Sequence, residues 1–279
     1  MKPREPLGLR LQVFWALFRR DLGMVFRHPA IYLIVGLVWL ALAWFSHNFL
    51  FSLDKLGVSV AADPVRIPYL VSVMLIALYL AVASGMSLAQ ERENRTLEVF
   101  FYGPVTPAAR VLSLFLRDAS VFLVCAASFL VLAFVAGGFT RLFPGSYTLR
   151  SVGLSVCLVW PTLGLSLLAS AAVRRTRTAV ILVVGVFLVF AALQAAGILL
   201  AALPAEGLSL AALVARGSLM ALLRVLEWLS PLGYLAHVND AILASSPFQT
   251  AAVLAAAAGY TALMLALATL VLARREKGA

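Results

Sequence analysis

The stretch that decides the fold is AVILVVGVFLVFAALQAAGILLAAL, at residues 179–203. It contains no charged residue, and Gln194 is its one strongly hydrogen-bonding side chain. A helix needs about 20 mostly apolar residues to cross the hydrocarbon core of a bilayer. This stretch therefore predicts a transmembrane helix.

The composition of the whole chain agrees with that prediction. Of its 279 residues 63% are hydrophobic and only 12% are charged, and the mean hydropathy is +1.01. Soluble domains carry about 25% charged residues. The composition therefore excludes a cytosolic enzyme, a secreted disulfide scaffold and a disordered chain. Cys125 and Cys157 both lie in apolar stretches, which predicts buried thiols and no disulfide framework.

Five further stretches are also long and apolar enough to cross the bilayer, so we expect an all-α, polytopic membrane protein. One transmembrane domain is expected to occupy residues 1–279. Its six predicted spans lie at about 31–53, 67–89, 111–136, 149–173, 179–203 and 248–273.

The basic residues predict the orientation of these spans. Fifteen of the 22 lysines and arginines fall on the side that holds both termini, and six fall on the other side. Basic residues are retained in cytoplasmic loops. We therefore expect both termini in the cytoplasm, in a multi-pass protein of the plasma (inner) membrane. The net charge of +10 is explained by this bias, so no nucleic-acid partner is expected.

The segment before the first span has a helical pattern of its own. Apolar residues recur with a helical period from Leu11 to Phe26, and basic residues lie largely on the opposite side. Residues 1–30 are therefore predicted to form an amphipathic helix at the inner membrane surface, ending at His28-Pro29. This helix can serve as a lipid anchor alone or as a docking surface for a cytoplasmic partner.

The segment 204–247, between the fifth and sixth spans, is less apolar. Its stretch 208–229 carries Arg216, Arg224 and Glu227, whose spacing places them on one helical stripe. A seventh crossing would also move the basic C-terminus to the outside. We therefore expect a pair of interfacial or re-entrant helices on the outer side before the last span.

The inner loop 90–110 contains the sequence ERENRTLEVFFYGPVTP at residues 91–107. Its residues 96–102 can form a short helix that ends at Gly103-Pro104, with Leu97, Phe100 and Phe101 on one face. The spacing alone is equally compatible with a solvated charged hairpin and with a short helix that binds a partner.

The same loop carries a family resemblance. Glu91-Arg92-Glu93, Thr96-Leu97-Glu98 and Pro104-Val105-Thr106 resemble the ERExGTLExLLxxPVS signature of ABC-2 type permeases, the membrane subunits of ATP-driven exporters. Two further motifs, RDL…FRHPAIY at 20–32 and SPL…NDAI at 230–242, are similar to the gliding-motility and copper-enzyme-maturation branch of that family. The family's glycine is Arg95 in this chain, and its frequent lysine in the third span falls on Leu114, with Arg117 one turn further.

The resemblance implies that ATP hydrolysis and membrane transport belong to separate subunits. A separate P-loop ATPase would bind ATP and Mg²⁺, and two permease chains, identical or different, would dimerise in the bilayer. The family moves lipids, glycans, drugs or peptides, usually outward, or transmits force to a periplasmic partner. We expect the inner loop to couple this chain to the ATPase, through Glu91, Arg92, Glu93, Arg95, Leu97, Glu98, Phe100 and Phe101.

No catalytic or metal motif is evident in the sequence. None of the three lysines follows a glycine as a phosphate-binding loop requires, and the three histidines are scattered, so no enzyme activity, cofactor or metal is expected on this chain. His237 and Asp240, three residues apart, are more simply a hydrogen-bonded pair than a ligand site. An ion-coupled secondary carrier and an intramembrane enzyme are the alternatives. Neither the inverted repeat of a carrier nor the paired catalytic groups of an enzyme are evident.

Charged residues within a span are costly, and therefore candidates for function. Arg117 and Asp118 lie in the third span, and Gln194 is a weaker candidate in the fifth. Because adjacent helical residues point about 100° apart, we expect Arg117 and Asp118 not to pair with each other. Arg117 would then reach the membrane surface, or each residue would meet a partner on another helix.

Overall fold

The computed structural model describes residues 7–55, 66–97, 105–140, 145–202, 210–231, 233–234, 237 and 246–276. Those residues are almost entirely helical and include no strand. The helices are α1 (Leu7–Arg27), α2 (Pro29–Lys55), α3 (Arg66–Glu93), α4 (Pro107–Thr140), α5 (Ser146–Ala172), α6 (Thr176–Ala202), α7 (Leu210–Leu229) and α8 (Pro247–Glu276). The prediction of an all-α polytopic membrane protein is confirmed.

Five helices, α3 to α6 and α8, are long and apolar enough to cross a membrane. A sixth span is obtained if α1 and the start of α2, which meet at a 61° bend, are taken together. The bend lies at His28, where Pro29 disfavours a helical conformation of the preceding residue. Where the structure describes them, the six predicted spans fall within α2, α3, α4, α5, α6 and α8 respectively. No predicted boundary lies more than one residue outside its helix.

Helix α5 lies at the centre of the bundle, packed against α3, α4 and α8. Its inward face alternates apolar side chains such as Leu163 and Leu167 with buried hydroxyls. Ser155 and the Tyr69 hydroxyl hydrogen-bond at 2.5 Å, and the Ser170 hydroxyl accepts from the Ala89 amide at 3.0 Å. Hydroxyls at such interfaces stabilise helix packing because hydrocarbon offers them no other partner.

Two close helix contacts depend on glycine. A Cβ on Gly85 of α3 would lie 2.7 Å from a methyl carbon of Val183 on α6. A Cβ on Gly164 of α5 would lie 3.2 Å from Met264 on α8. Small residues let helix backbones approach in this way inside a membrane. By contrast, most of the α6 surface is exposed on the isolated chain.

Candidate functional site: a buried charge cluster between three helices

A buried ion pair joins the amphipathic helix to the third span. Asp21 of α1 and Arg110 in the first turn of α4 are 1% and 2% exposed, and Arg110 Nη1 donates a hydrogen bond to Asp21 Oδ2. Arg20, which is 44% exposed, also donates to Asp21, through Nε at 3.0 Å and Nη2 at 2.8 Å. The carboxylate of Asp21 is therefore held by two guanidinium groups.

Arg110 has a second carboxylate partner, Glu91, near the end of α3. Its Nε donates to Glu91 Oε2 at 3.0 Å and its Nη2 donates to Glu91 Oε1, so the pair is bidentate. Such a fork fixes the geometry of both side chains. We refer to Asp21, Glu91 and Arg110 as the charge cluster. It ties α1, the start of the inner loop and α4 to one another.

Arg117 and Asp118 lie about two turns further along α4 than Arg110, and their arrangement corrects the prediction. They do pair: Arg117 donates to Asp118 through Nε at 2.7 Å and Nη2 at 2.9 Å. The long, flexible arginine side chain bends back to its neighbour despite the 100° between the two Cα–Cβ directions. Asp118 also accepts a hydrogen bond from Ser84 of α3. The pair is therefore held to α3 as well as to itself.

A cavity of about 550 Å³ lies beside these charges, between α1, α2, α3 and α4. Its polar wall includes all three members of the charge cluster and the Arg117–Asp118 pair. The rest of its lining includes apolar side chains such as Val25, Ile31, Leu80 and Val121. Cavities of 300–1,000 Å³ with a few convergent polar groups are typical of small-molecule sites. This cavity can hold a molecule that has both a polar and an apolar part.

The other two charges of the ERE sequence contact different helices. Arg92 Nη1 donates to the carbonyl oxygens of Ala171 at 3.3 Å and Val173 at 2.6 Å, at the C-terminal end of α5. Glu93 Oε2 accepts from the amide of Thr176 at 3.0 Å and from its hydroxyl at 2.6 Å, at the N-terminal end of α6. Each contact places a charge of the favourable sign at a helix end, a cation at the C-terminal end of α5 and an anion at the N-terminal end of α6.

Three consecutive side chains at the end of α3 therefore hold α4, α5 and α6 respectively. If the loop that follows α3 moves, these three contacts transmit the movement to α4, α5 and α6.

The turn after α3 is tight although the family's glycine is missing. Arg95 has a φ of 58°, in the left-handed region that favours glycine. Its amide donates to Arg92 O at 3.0 Å, the amide of Asn94 donates to Gln90 O at 2.9 Å, and the Thr96 hydroxyl donates to Glu91 O at 2.9 Å. The chain therefore makes a helix-ending turn with a strained arginine.

Of the predicted apolar face, Leu97 is 7% exposed and joins the core. Glu98, Phe100 and Phe101 lie outside the described residues, so their part in the coupling helix stays a prediction. At the far end of the loop, α4 begins at Pro107, and the Thr106 hydroxyl accepts from the Ala109 amide at 3.2 Å. This is the helix start that Thr106-Pro107 predicts.

The remaining candidates lie apart from the charge cluster. Gln194 borders a small crevice against Glu227 and Ser230 of the segment after α6. His237 stacks on Trp228, with ring centroids 4.5 Å apart, while Asp240 lies outside the described residues. Cys125 is a buried thiol, and the side chain of Cys157 is not among those described. No group of three His, Cys, Asp or Glu residues in the described part of the chain could hold a metal.

The sequence analysis did not find the charge cluster, although one signal was available. Asp21 lies three residues after Phe18 and four before Val25, which places an acid on the apolar face of a basic helix. An acid in that position needs a buried cation. Arg110 was assigned to the loop because the predicted span begins at Val111, whereas α4 begins at Pro107 and buries Arg110 in its first turn.

Comparison with known protein families supplies the family of the chain. Residues 16–277 match the ABC-2 family transporter protein. None of the curated proteins matches the chain. In this family the chain is the membrane permease subunit of an ABC transporter, a transport component that works with an ATP-binding P-loop subunit. The match covers nearly the whole chain, and the chain therefore belongs to the ABC-2 family of transporter proteins.

Proposed function

We propose that the chain is one half of an ATP-driven exporter in which the charge cluster transmits the movement of the ATPase to the membrane helices. Two permease chains, identical or different, assemble with two ATPase subunits in the inner membrane, with both termini in the cytoplasm. The bias of basic residues supports this orientation.

The observation that carries the proposal is the position of Arg110. It is 2% exposed and holds carboxylates from α1 and from the end of α3. Burying charges such as those of Asp21 and Arg110 without need is costly, and an apolar core of equal volume is often as stable. A buried cluster at the start of the predicted coupling loop is therefore better explained by a mechanical role than by stability alone. Glu91 would receive the force that the ATPase exerts on the loop, and Arg110 would transmit it to α4 and α1.

The test of this role uses the complex with its ATPase in proteoliposomes. Arg110→Lys keeps the positive charge and removes the bidentate fork. We expect the ATPase to copurify as before, while the stimulation of its ATP turnover by the membrane subunit falls about tenfold, equivalent to about 1.4 kcal/mol of coupling. The matched control is Arg27→Lys on the exposed end of α1. Unchanged stimulation in Arg110→Lys would contradict the proposal.

For the substrate we propose an amphipathic molecule of the lipid, glycan, drug or peptide class, moved outward. The support is the cavity, whose lining includes both charged and apolar side chains. Ala83→Trp would fill this cavity, and Leu78→Trp places the same side chain on an exposed face of α3.

The cavity is tested with a panel of fluorescent amphiphiles in proteoliposomes. We expect Ala83→Trp to abolish ATP-driven transport of the amphiphile that the parent moves, with ATPase copurification intact. Leu78→Trp should transport normally. Equal transport by the parent and Ala83→Trp would exclude this cavity from the path.

A further inference from the structure

A dense patch of positive charge lies at the ends of three spans. Its exposed members follow the end of α5, begin α6 and end α8; we call Arg174, Arg175, Arg177, Arg274 and Arg275 the arginine patch. None of the five forms an ion pair in the described part of the chain.

The patch is built around one helix end. Arg275 Nη2 donates to the carbonyl oxygen of Ala172 at 2.5 Å, between the two carbonyls that Arg92 binds at Ala171 and Val173. The charges of Arg174 and Arg275 lie within electrostatic range of Arg92. Glu93 is the nearby acid, and its carboxylate already binds Thr176. Glu93 supplies one negative charge within electrostatic range of Arg175 and Arg177, so the five arginines of the patch keep a net positive charge.

An apolar groove leads from the patch into the membrane region. It has a volume of about 200 Å³, lies between α5 and α6, and includes Ala172, the residue whose carbonyl Arg275 binds. The hydroxyl of its one polar residue, Ser166, donates internally to Thr162 O at 2.8 Å. The Ser166 hydroxyl therefore has no proton left to donate to a ligand in the groove. Its other lining residues include Leu165, Leu168, Leu182, Val186 and Phe187.

From this juxtaposition we propose a binding site for an anionic phospholipid, with its phosphate on the arginine patch and one acyl chain in the groove between α5 and α6. Guanidinium groups bind phosphate with charge-assisted hydrogen bonds. Basic clusters at the membrane surface between transmembrane helices are suited to anionic headgroups. Because the groove continues from the patch, the ligand carries both a negative head and a long apolar chain, which distinguishes a phospholipid from a free phosphate or an acidic protein surface.

The headgroup is tested by native mass spectrometry of the purified, delipidated full chain. Dioleoylphosphatidylglycerol is titrated against dioleoylphosphatidylcholine. We expect the parent to prefer the anionic lipid, and Arg174→Ala/Arg177→Ala to weaken its binding by about thirtyfold. Both arginines are exposed and hold no helix end, so folding should be preserved. The control Arg19→Ala/Arg27→Ala removes the same charge from exposed positions on α1.

The groove is tested with a bulky residue inside it. Val186→Trp fills the groove, whereas Val189→Trp, at a position 59% exposed on the same helix, leaves it open. We expect Val186→Trp to bind dioleoyl and dihexanoyl phosphatidylglycerol equally weakly, while the parent and Val189→Trp prefer the long-chain lipid.

Three results would overturn the proposal. The first is equal affinity of the parent for the two headgroups. The second is an equal loss of anionic-lipid binding in the patch and α1 variants. The third is lipid binding that is unchanged in Val186→Trp or in the patch variant. If the same variant also loses assembly with the ATPase or with a second permease chain, the surface is a protein interface.

Discussion

Replacing Arg110 with leucine tests how the charge cluster contributes to stability. The substitution leaves Asp21, which is 1% exposed, with the half-exposed Arg20 as its remaining ion-pair partner among the described residues, and it leaves Glu91 without its bidentate pair. Removal of one member of a buried ion pair costs about 3–5 kcal/mol, because the remaining charge is left in a poorly solvated site. We expect Arg110→Leu to lower the free energy of unfolding by that amount.

Removal of all three charges should be far less costly. In Asp21→Leu/Glu91→Leu/Arg110→Leu the buried charges of Asp21 and Arg110 are both removed, and Arg20, which loses its contact with Asp21, is 44% exposed. Apolar replacement of a whole buried ionic group is often neutral or stabilising. We therefore expect the triple variant to unfold within about 2 kcal/mol of the parent, above the single variant.

The assay is unfolding by sodium dodecyl sulfate in mixed micelles, followed by tryptophan fluorescence. Arg19→Leu, at an exposed position on α1, is the control for loss of one positive charge. If Arg110→Leu unfolds at the same detergent fraction as the parent, the cluster is not buried as described. If the triple variant is as unstable as the single one, the stability of the cluster comes from its own interactions and the mechanical interpretation loses its support.

Other predictions address the turn, the topology and the partner. Arg95→Gly should raise the free energy of unfolding by about 1 kcal/mol, because glycine adopts a φ of 58° without strain; a decrease would show that the arginine side chain matters more. In intact cells lacking the native cysteines, a cysteine at Gly145 should react with an impermeant thiol reagent and one at Asn94 should not; the reverse pattern would invert the topology. The purified chain alone should hydrolyse no ATP, and hydrolysis that survives removal of every copurifying ATPase would contradict the need for a partner. Phe100→Ser/Phe101→Ser should reduce ATPase copurification without affecting membrane insertion, since apolar anchors dominate such contacts; normal copurification would reject this docking face.

The helices could be predicted because membrane insertion imposes a simple rule. A long apolar stretch must be helical in hydrocarbon, where its backbone groups find no other partners. For the same reason 179–203 could be assigned without knowledge of its neighbours, and α6 indeed covers it to Ala202. The end of α1 at Arg27 and the start of α4 at Pro107 were also local effects of proline.

The charge cluster could not be predicted because its members come from three separate parts of the chain. Arg110 is 89 residues from Asp21 and 19 from Glu91 in sequence. Packing of both α1 and α3 against α4 brings them together. The pairing of Arg117 with Asp118 was predicted wrongly for a different reason. The direction of a Cα–Cβ bond does not limit where the end of an arginine side chain can reach.

The left-handed turn at Arg95 was also not evident from the residue itself. An arginine gives no signal for positive φ, and only the family's glycine at that position pointed to a tight turn. The structure keeps the turn because three hydrogen bonds from Asn94, Arg95 and Thr96 close it.

The most direct test of the central claim is the distance between α1 and α4 during the ATP cycle. Spin labels at Ala16 and Ala108, two exposed positions on these helices, are measured by pulsed electron resonance in the complex with its ATPase, after replacement of the native cysteines. If the charge cluster joins the two helices mechanically, the parent gives the same narrow distance with and without ATP, and the triple leucine variant gives a distance that changes or broadens on ATP binding. A parent distance that itself changes with ATP, or a triple variant that behaves like the parent, would contradict the claim.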